Sequence, residues 1–533
     1  MSAKNSISFI LGEETIHLSF TKEAPFSPTT TLLNYLRQLP SRKGTKEGCA
    51  EGDCGACTVV LGELTNDKKI KYTAVDSCLV FLPMLNGKWV ITVEDLKDDS
   101  NNAIENIISD TIELSENENL STLHPVQKSM VENHGAQCGF CTPGIVMSLV
   151  GLYKNKPNPA KNVIEDALTG NLCRCTGYRP IITAAFQSCS LYAKDKFDSL
   201  EKKIIPELIS LNKSRKPLYF PNSDTPYHKV FHLDDALKLR AKFPKAILLS
   251  GATDLALKVT KKFENLPEII DISEVKELKH IKKYNNRIEI GAAVTLSALK
   301  DFIENNPKRN NRKIRKHPKY DGEEWKNTFL ALHNQLCVFG SLQIRNLATL
   351  GGNIGTASPI SDLISVLMAY NAEIILQNKN KIRTLKLEHF VVGYRKTAIK
   401  PGELISKIVI PIPSSNLSLY AIKISNRKHL DIATVNAGFR LLLNDKKVIE
   451  EIALFYGGMS AWTKRAVKTE NFLKGKIWSK ETIEKAMDFL PEDFTPISDA
   501  RSSTEFRTMV AKNLLLKFYY TNNTLSPCIT KVP

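Results

Sequence analysis

No apolar run in the 533-residue sequence approaches the ~20 residues needed to span a bilayer. The N-terminus, MSAKNSISFILGEETIHLSF, alternates polar with apolar residues and lacks the unbroken apolar stretch of a secretory signal. The expected compartment is therefore the cytoplasm, with no membrane partner. No internal repeat is evident. Without an export signal the eleven cysteines are poor disulfide candidates, because cytosolic thiols stay reduced. Eight of them cluster at close spacings in the first third, which points to metal. Cys189, Cys337 and Cys528 stand apart and read as small buried hydrophobes.

What is present is an ordinary globular composition, 42% hydrophobic and 24% charged. The length suits roughly three or four domains. Lys plus Arg number 73 against 56 Asp plus Glu, a net charge of +17. Such a balance could serve nucleic acid or an acidic membrane surface, but lysine as the favoured surface residue is the better reading. Lys308, Arg309, Arg312, Lys313, Arg315, Lys316 and Lys319 lie in a stretch without apolar periodicity and read as a solvated loop.

Ile7–Leu11 and Thr15–Phe20 alternate around Gly12 as a hairpin. Thr29 and Thr30 precede Leu32, Leu33 and Leu36 as the cap of a helix, and Thr58–Leu61 reads as a strand. This small α+β unit is assigned to residues 1–93. Helices dominate 94–200, with Thr142 as N-cap before Pro143, and with Pro180 opening Ile181–Leu191. The polar, proline-bearing stretch 201–225 reads as a linker. Strands at Ala246–Ser250, Arg287–Gly291, Ala372–Leu376 and Leu404–Ile412, with a helix at Leu233–Lys242, define an α+β unit over 226–412. A shift near Pro413 opens a C-terminal α/β subdomain, 413–533, with strands near Leu419–Ile424 and Ala437–Leu443. The fold class is multidomain α+β.

Cys49, Cys54, Cys57 and Cys78 are spaced C-x4-C-x2-C, with the fourth after twenty residues. That is the plant-type [2Fe–2S] pattern, in which each iron takes two thiolates. Ala50, Gly52, Gly55 and Ala56 are small, so backbone N–H groups can turn toward the inorganic sulfides. Zinc also accepts four cysteines, but the x4 gap and the glycines argue against it. Cys138 and Cys141 in QCGFC, with Cys173 and Cys175 in NLCRC, form a second set. One C-x-x-C fits redox or zinc chemistry. Paired with a C-x-C, and with helices opening beside both, it can enclose a second cluster. A Rieske centre is not expected, since it needs two histidines and none adjoins these cysteines.

Ser250-Gly251-Ala252-Thr253-Asp254-Leu255-Ala256 follows the apolar strand that includes Leu249, and small residues there can admit phosphates by backbone N–H donation. The segment lacks G-x-G-x-x-G, so a Rossmann site is not expected; a tight turn is the simpler alternative. Further on, QIRNLATLGGNIGTASPISD (Gln343 to Asp362) sets Gly351, Gly352 and Asn353 beside a hydroxyl-rich run, combining permissive backbone with hydrogen-bonding groups. Taken alone, Phe339 reads as core.

The strings HPVQKSMVENHGAQCGFCTPGIVMS and ALTGNLCRCTGYRPI resemble the xanthine dehydrogenase and aldehyde oxidase family of molybdenum hydroxylases. The two later stretches resemble that family's flavin-binding domain, and the likeness runs from the first strand to about residue 520. The resemblance implies a β-grasp [2Fe–2S] ferredoxin domain, a four-helix [2Fe–2S] domain and an α+β FAD-binding domain. It implies that Cys138, Cys141, Cys173 and Cys175 hold the cluster nearer the molybdenum. Gln137, otherwise read as a helix-surface amide, would contact the molybdopterin. Leu249, Ser250, Gly251, Ala252, Thr253, Asp254, Leu255 and Ala256 would embrace the FAD pyrophosphate. Phe339 would lie against the flavin, and Thr349, Gly352, Asn353, Asp362, Leu404 and Lys423 would contact FAD. Tyr394 falls beside the family's nicotinamide path. Lys423–Ala433 falls on a loop whose charge influences the electron acceptor, and here it carries His429, Leu430 and only Asp431 as an acid. The basic 308–319 stretch is longer than the family usually shows.

The family's large molybdenum-binding domain has no counterpart before Pro533. The resemblance therefore implies a separate molybdopterin-binding large subunit, in a heterotetramer of two small and two large subunits. The expected function is the electron-transfer subunit of such an enzyme. It would pass electrons from a purine-hydroxylating partner through two [2Fe–2S] clusters to FAD and then NAD, with no acid–base residue of its own. The same architecture serving an aldehyde or another N-heterocycle is one alternative, and a stand-alone ferredoxin–flavin reductase is another. A zinc-stabilised basic protein that binds nucleic acid is the alternative from a different class, which the absence of iron would favour.

Overall fold

The computed structural model describes residues 5–97, 122–190, 192, 194–213, 216–221, 223–305 and 322–524. The basic run at 308–319 and Cys528 lie outside them. The described residues fall into two compact units. One is drawn from 1–231, 245–274 and 340–348, the other from 232–244, 275–339 and 349–533.

The first unit begins with strands β1 (Ser6–Leu11) and β2 (Glu14–Ser19), helix α1 (Leu32–Gln38), and strands β3 (Thr58–Leu64), β4 (Ile70–Asp76) and β5 (Trp89–Ile91). They make a mixed sheet in the order β2-β1-β5-β3-β4. The β1–β2 pair is an antiparallel hairpin turned at Gly12, while β1 and β5 run parallel. Phe9, Leu32, Leu36, Val59 and Val75 are fully buried in one core, so the apolar stripe of α1 and the inward face of the sheet close on each other. Thr31, not Thr29 or Thr30, caps α1: its hydroxyl accepts the Asn34 N–H at 3.2 Å.

Four helices follow: α2 (Pro125–Glu132), α3 (Thr142–Asn155), α4 (Lys161–Ala167) and α5 (Arg179–Ser190). Helix α3 buries Ile145, Val146, Met147, Leu149 and Val150, and so lies inside its unit, against β3 and β4. Its N-cap is Cys141, without a side-chain bond, so Thr142 already belongs to the helix and Pro143 is its second residue. Pro180 likewise stands second in α5. Proline is tolerated at both places because first-turn N–H groups have no helical acceptor.

Residues 201–225, expected as a linker, are mostly helical. Helix α6 spans Lys196–Lys213 and carries Pro206 in its interior. Phe197, Ile204 and Leu208 face inward and are buried, a stripe hidden in the sequence by the lysines around it. Its start is fixed by charge. Asp195 meets His124 Nε2 at 3.1 Å and Lys154 Nζ at 2.9 Å, all three side chains 2% exposed or less, and Lys154 also reaches Asp198 at 3.1 Å.

Strands β6 (Leu218–Phe220), β7 (Tyr227–Lys229), β8 (Ile247–Leu249) and β9 (Ile269–Asp271) complete the first unit in the order β6-β7-β9-β8. Leu249, Ala252 and Ile269 enter the same core as α1. Buried Lys229 and Tyr227 both hold Asp271, at 3.0 and 2.8 Å.

In the second unit β10 (Ile281–Lys283), β11 (Arg287–Gly291), β12 (Glu373–Gln377), β13 (Ile382–Lys386) and β16 (Leu404–Pro411) form a five-stranded sheet, order β10-β11-β16-β12-β13. Between them, β14 (Val391–Gly393) and β15 (Lys396–Thr397) form a small hairpin. A four-stranded antiparallel sheet follows: β17 (Leu417–Ile424), β18 (Val435–Leu443), β19 (Ile449–Gly457) and β20 (Lys464–Arg465). The helix Thr504–Thr524 covers it, with Phe518 against Tyr420, Phe439 and Trp478.

Burial pushes the Asp195 carboxyl up, but hydrogen bonds from His124 and Lys154 outweigh it and hold the group at about 2. Its contribution is complete above the ordinary carboxylate value and is lost as pH falls toward about 2. Asp195→Asn should cost about 3 kcal/mol in denaturant unfolding at neutral pH, because it leaves Lys154 buried beside a weaker partner. The variant should also lose less stability than the parent between pH 4 and pH 2. Equal unfolding midpoints would refute the assignment.

Candidate metal centres and cofactor loops

The loop after α1 brings the first four thiols together in two pairs. The Cys54 thiol lies beside Cys49, and Cys49 Sγ accepts the N–H groups of Glu51 at 3.4 Å and Asp53 at 3.2 Å. These neighbours hold the Cys49 thiol down at about 5, so the loop favours a thiolate. Cys57 and Cys78, both buried, form the other pair, and the neighbouring Cys78 thiol pulls Cys57 down as well. The second quartet also pairs, Cys138 with Cys175 and Cys141 with Cys173. Cys138 and Cys175 are exposed; Cys141 and Cys173 are half-buried.

Among the described residues no three cysteine sulfurs lie within 4.8 Å of one another. A tetrahedral zinc ion, with Zn–S of ~2.3 Å, would draw all four donors closer than that. Two separated pairs suit a binuclear cluster, in which each iron takes two thiolates. The backbone leaves room for it. A Cβ on Gly48 would stand 2.8 Å from Cys54 Sγ, and a Cβ on Gly55, whose φ is +68°, would overlap the Gly170 carbonyl. The two loops also touch: Leu172 N–H donates to the Cys54 carbonyl at 3.0 Å.

Gln137 is exposed in the loop between α2 and α3, one residue before Cys138, and is not on a helix. Cys189 is buried, as expected. Cys337 is not: it is half-buried, 3.7 Å from His333 Nε2, which meets Glu304 Oε1 at 2.8 Å. Burial opposes charge on His333, yet Cys337 and Glu304 pull it up to about 9. Lys300 stands 3.3 Å from the same Glu304 oxygen, so this trio is closed by an internal cation.

In the first unit, Leu249 ends β8 and is buried, as are Gly251, Ala252 and Ala256; Ser250, Thr253 and Leu255 are half-buried and Asp254 is exposed. A Cβ on Gly251 would overlap the Leu347 carbonyl, Ala252 sits at φ +62°, and Ser250 Oγ is buried without a hydrogen-bond partner. A left-handed turn with an orphaned hydroxyl is more than a tight turn requires, and it fits an anionic ligand.

In the second unit, Thr349 caps the helix Leu350–Thr356 by accepting the Gly352 N–H at 3.1 Å. Asn353 Oδ1 accepts from Ser361 at 2.8 Å. Lys423 donates to Asp362 Oδ2 at 2.7 Å and to the Val338 carbonyl at 3.2 Å, while Asp362 Oδ1 is buried without a partner. Burial pushes the Asp362 carboxyl up, against the pull of Lys423. Phe339 is half-buried rather than core, and Leu404 is fully buried on β16. Tyr394 is 62% exposed between β14 and β15.

Matches to known families follow the same divisions. Residues 16–82 match a 2Fe-2S iron-sulfur cluster binding domain and 111–186 a [2Fe-2S] binding domain. Residues 221–413 match the FAD binding domain in molybdopterin dehydrogenase, and 420–521 the CO dehydrogenase flavoprotein C-terminal domain. The xanthine dehydrogenase/oxidase of Rattus norvegicus is 33% identical over 562 aligned residues, taking in 98% of this chain and 39% of that protein. The xanthine dehydrogenase of Emericella nidulans is 33% identical across 92% of this chain and 37% of its own length. The chain thus spans well under half the length of these relatives. A Cu,Mo-CO dehydrogenase chain superposes with a TM-score of 0.47 and 23% identity, covering 55% of this chain and 94% of that one. Paired thiol quartets ahead of a flavin domain define an oxidoreductase module with two [2Fe–2S]-binding domains and one FAD-binding domain. The chain belongs to the molybdenum hydroxylase family and is homologous to the N-terminal region of its xanthine dehydrogenases.

Lys423→Met should lower stability by about 3 kcal/mol at neutral pH, since it strands the Asp362 carboxylate in a buried place. The deficit should shrink as pH falls, because the carboxyl, already pushed up by burial, then takes a proton. A deficit independent of pH would contradict the pairing.

Proposed function

We propose that the chain is the electron-transfer small subunit of a xanthine dehydrogenase, drawing electrons from a molybdopterin-binding large subunit and delivering them to NAD. The observation that carries this reading is the two-plus-two pairing of both thiol quartets, in loops joined by the Leu172–Cys54 hydrogen bond. Bound there, iron–sulfur clusters supply one-electron steps and FAD supplies conversion to hydride transfer.

The chain's own residues hold and insulate. Cys49, Cys54, Cys57 and Cys78 would hold the first cluster, and Cys138, Cys141, Cys173 and Cys175 the second. The exposure of Cys138, Cys175 and Gln137 favours the second site as the face turned to the partner. Leu249 to Ala256 offer backbone N–H groups and the Ser250 hydroxyl to the FAD pyrophosphate. Phe339, Thr349, Gly352, Asn353, Asp362, Leu404 and Lys423 are the remaining FAD contacts. Exposed Tyr394 and the loop with His429, Leu430 and Asp431 border the acceptor path. A heterotetramer of two small and two large subunits in the cytoplasm is part of the same reading. Among the described residues no helix is long and apolar enough to cross a membrane.

Anaerobically prepared protein should contain about four irons, about four acid-labile sulfides and about one FAD per chain. It should co-purify with a molybdopterin-bearing chain, and the complex of the two should reduce NAD with xanthine. Cys54→Ser should remove about half of the iron. Zinc without iron would overturn the reading, and preference for an aldehyde or another heterocycle would move the substrate while leaving the electron path intact.

A further inference from the structure

A buried polar junction lies between the two thiol quartets, and the spacing of the cysteines does not call for it. Gly55 of the first cysteine loop, Gly144 in the first turn of α3 and Gly170 just before the C-x-C of the second quartet meet with no space for side chains. A Cβ on Gly55 would overlap the Gly170 carbonyl, one on Gly144 the Gly55 carbonyl, and one on Gly170 the Gln343 amide. Asn171 spans this contact. Its Nδ2 donates to the Gly55 carbonyl at 3.1 Å and to Thr58 Oγ1 at 3.3 Å. Its Oδ1 accepts from Ser148 Oγ at 2.6 Å and from Gln343 Nε2 at 3.1 Å. Gln343 Nε2 also reaches Ser148 Oγ at 2.9 Å and the Ala167 carbonyl at 3.1 Å. The segment bearing Gln343 is docked by Leu342 N–H on Thr169 Oγ1 at 3.1 Å and by the Arg345–Asp166 ion pair.

Gln343, Ser148 and Asn171 are 0%, 2% and 2% exposed. Burying three polar side chains is a weak way to gain stability, because apolar residues of the same volume avoid the desolvation cost. Gln343 Oε1 is even left without a partner, a cost with no return in stability. What such a network does supply is one geometry, since directional bonds admit fewer arrangements than apolar contacts. The groups it holds are the Cys54–Cys57 turn on one side and the backbone leading into Cys173 on the other.

We infer that Asn171 and Gln343 are positioning residues for electron transfer between the two cluster sites, fixing the separation of the loop at 49–57 from that at 173–175. The inference rests on the eight thiolates holding two clusters in series. Electron exchange between fixed centres falls steeply with distance, so a junction closed by three glycines and one amide network sets the rate.

The test uses the full-length protein with both clusters reduced by dithionite, and reads the magnetic splitting between them by low-temperature paramagnetic resonance. Asn171→Asp keeps the shape and removes the donor to Gly55; Gln343→Leu removes the network's second amide. Each variant should retain the parent's iron and sulfide, and each cluster's own signal when reduced alone. The splitting with both reduced should fall about twofold or more. Unchanged splitting in both variants would overturn the inference. So would loss of both clusters from both variants, since that makes the network architectural only. A parent protein without iron would instead remove the electron-transfer reading on which the inference stands.

Discussion

Sulfur donors must stand in pairs, two to an iron, with almost no side-chain volume around them, and this constraint shapes the first half of the molecule. It explains why the cysteine loops are written in glycine and alanine, and why backbone N–H groups turn toward Cys49. It also explains why the loops sit on elements held from behind: Cys57 and Cys78 flank the β3–β4 hairpin inside the core, and Cys141 caps α3, the most buried helix of its unit. Loops that must stay bare of side chains cannot stabilise themselves, so the scaffold does it for them.

That scaffold is pinned by buried charges at places where apolar packing alone would leave orientation loose. Asp195 gathers His124 and Lys154, fixing the start of α6 to α2 and α3. Asp271 gathers Lys229 and Tyr227 at the heart of the small mixed sheet β6-β7-β9-β8. Each is a carboxylate with cationic or hydroxyl donors supplied from another element, the arrangement that makes a buried charge tolerable. The Lys423–Asp362 pair follows the same rule in the second unit, with one carboxylate oxygen left over.

Much of this was legible in the sequence because periodic patterns report local structure. The helix Leu233–Lys242 and the strand Arg287–Gly291 have the expected bounds, and the strands near Leu404 and Ala437 differ by two residues at most. Caps were off by one residue at Thr31 and Cys141, where several neighbours could have served. The part of α6 after residue 200 reads as a linker in sequence because Pro206 and a lysine-rich exterior mask the spacing of Phe197, Ile204 and Leu208. The two thiol quartets are legible from their spacing, but which thiols pair within them is not, since Cys138 pairs with Cys175 and Cys141 with Cys173 across separate motifs. Nor are the amides that brace them: Asn171 and Gln343 stand 172 positions apart, and a single polar pair across that distance leaves no periodic trace. Cys337 reads as a small buried hydrophobe for a similar reason, since Glu304, which joins it and His333, comes from another helix.

The first unit is not contiguous. It draws β8, β9 and the segment 340–348 from sequence that the flavin-domain family claims as its own, and Leu249, Ala252 and Ile269 are buried in the same core as the ferredoxin strands. A gene cut at the apparent boundary near residue 220 would therefore leave the iron–sulfur half with an open apolar flank and without Gln343. Interleaving of this kind means that the amino-terminal unit is not a free-standing cassette: the chain must be synthesised past residue 348 before that unit has all its segments.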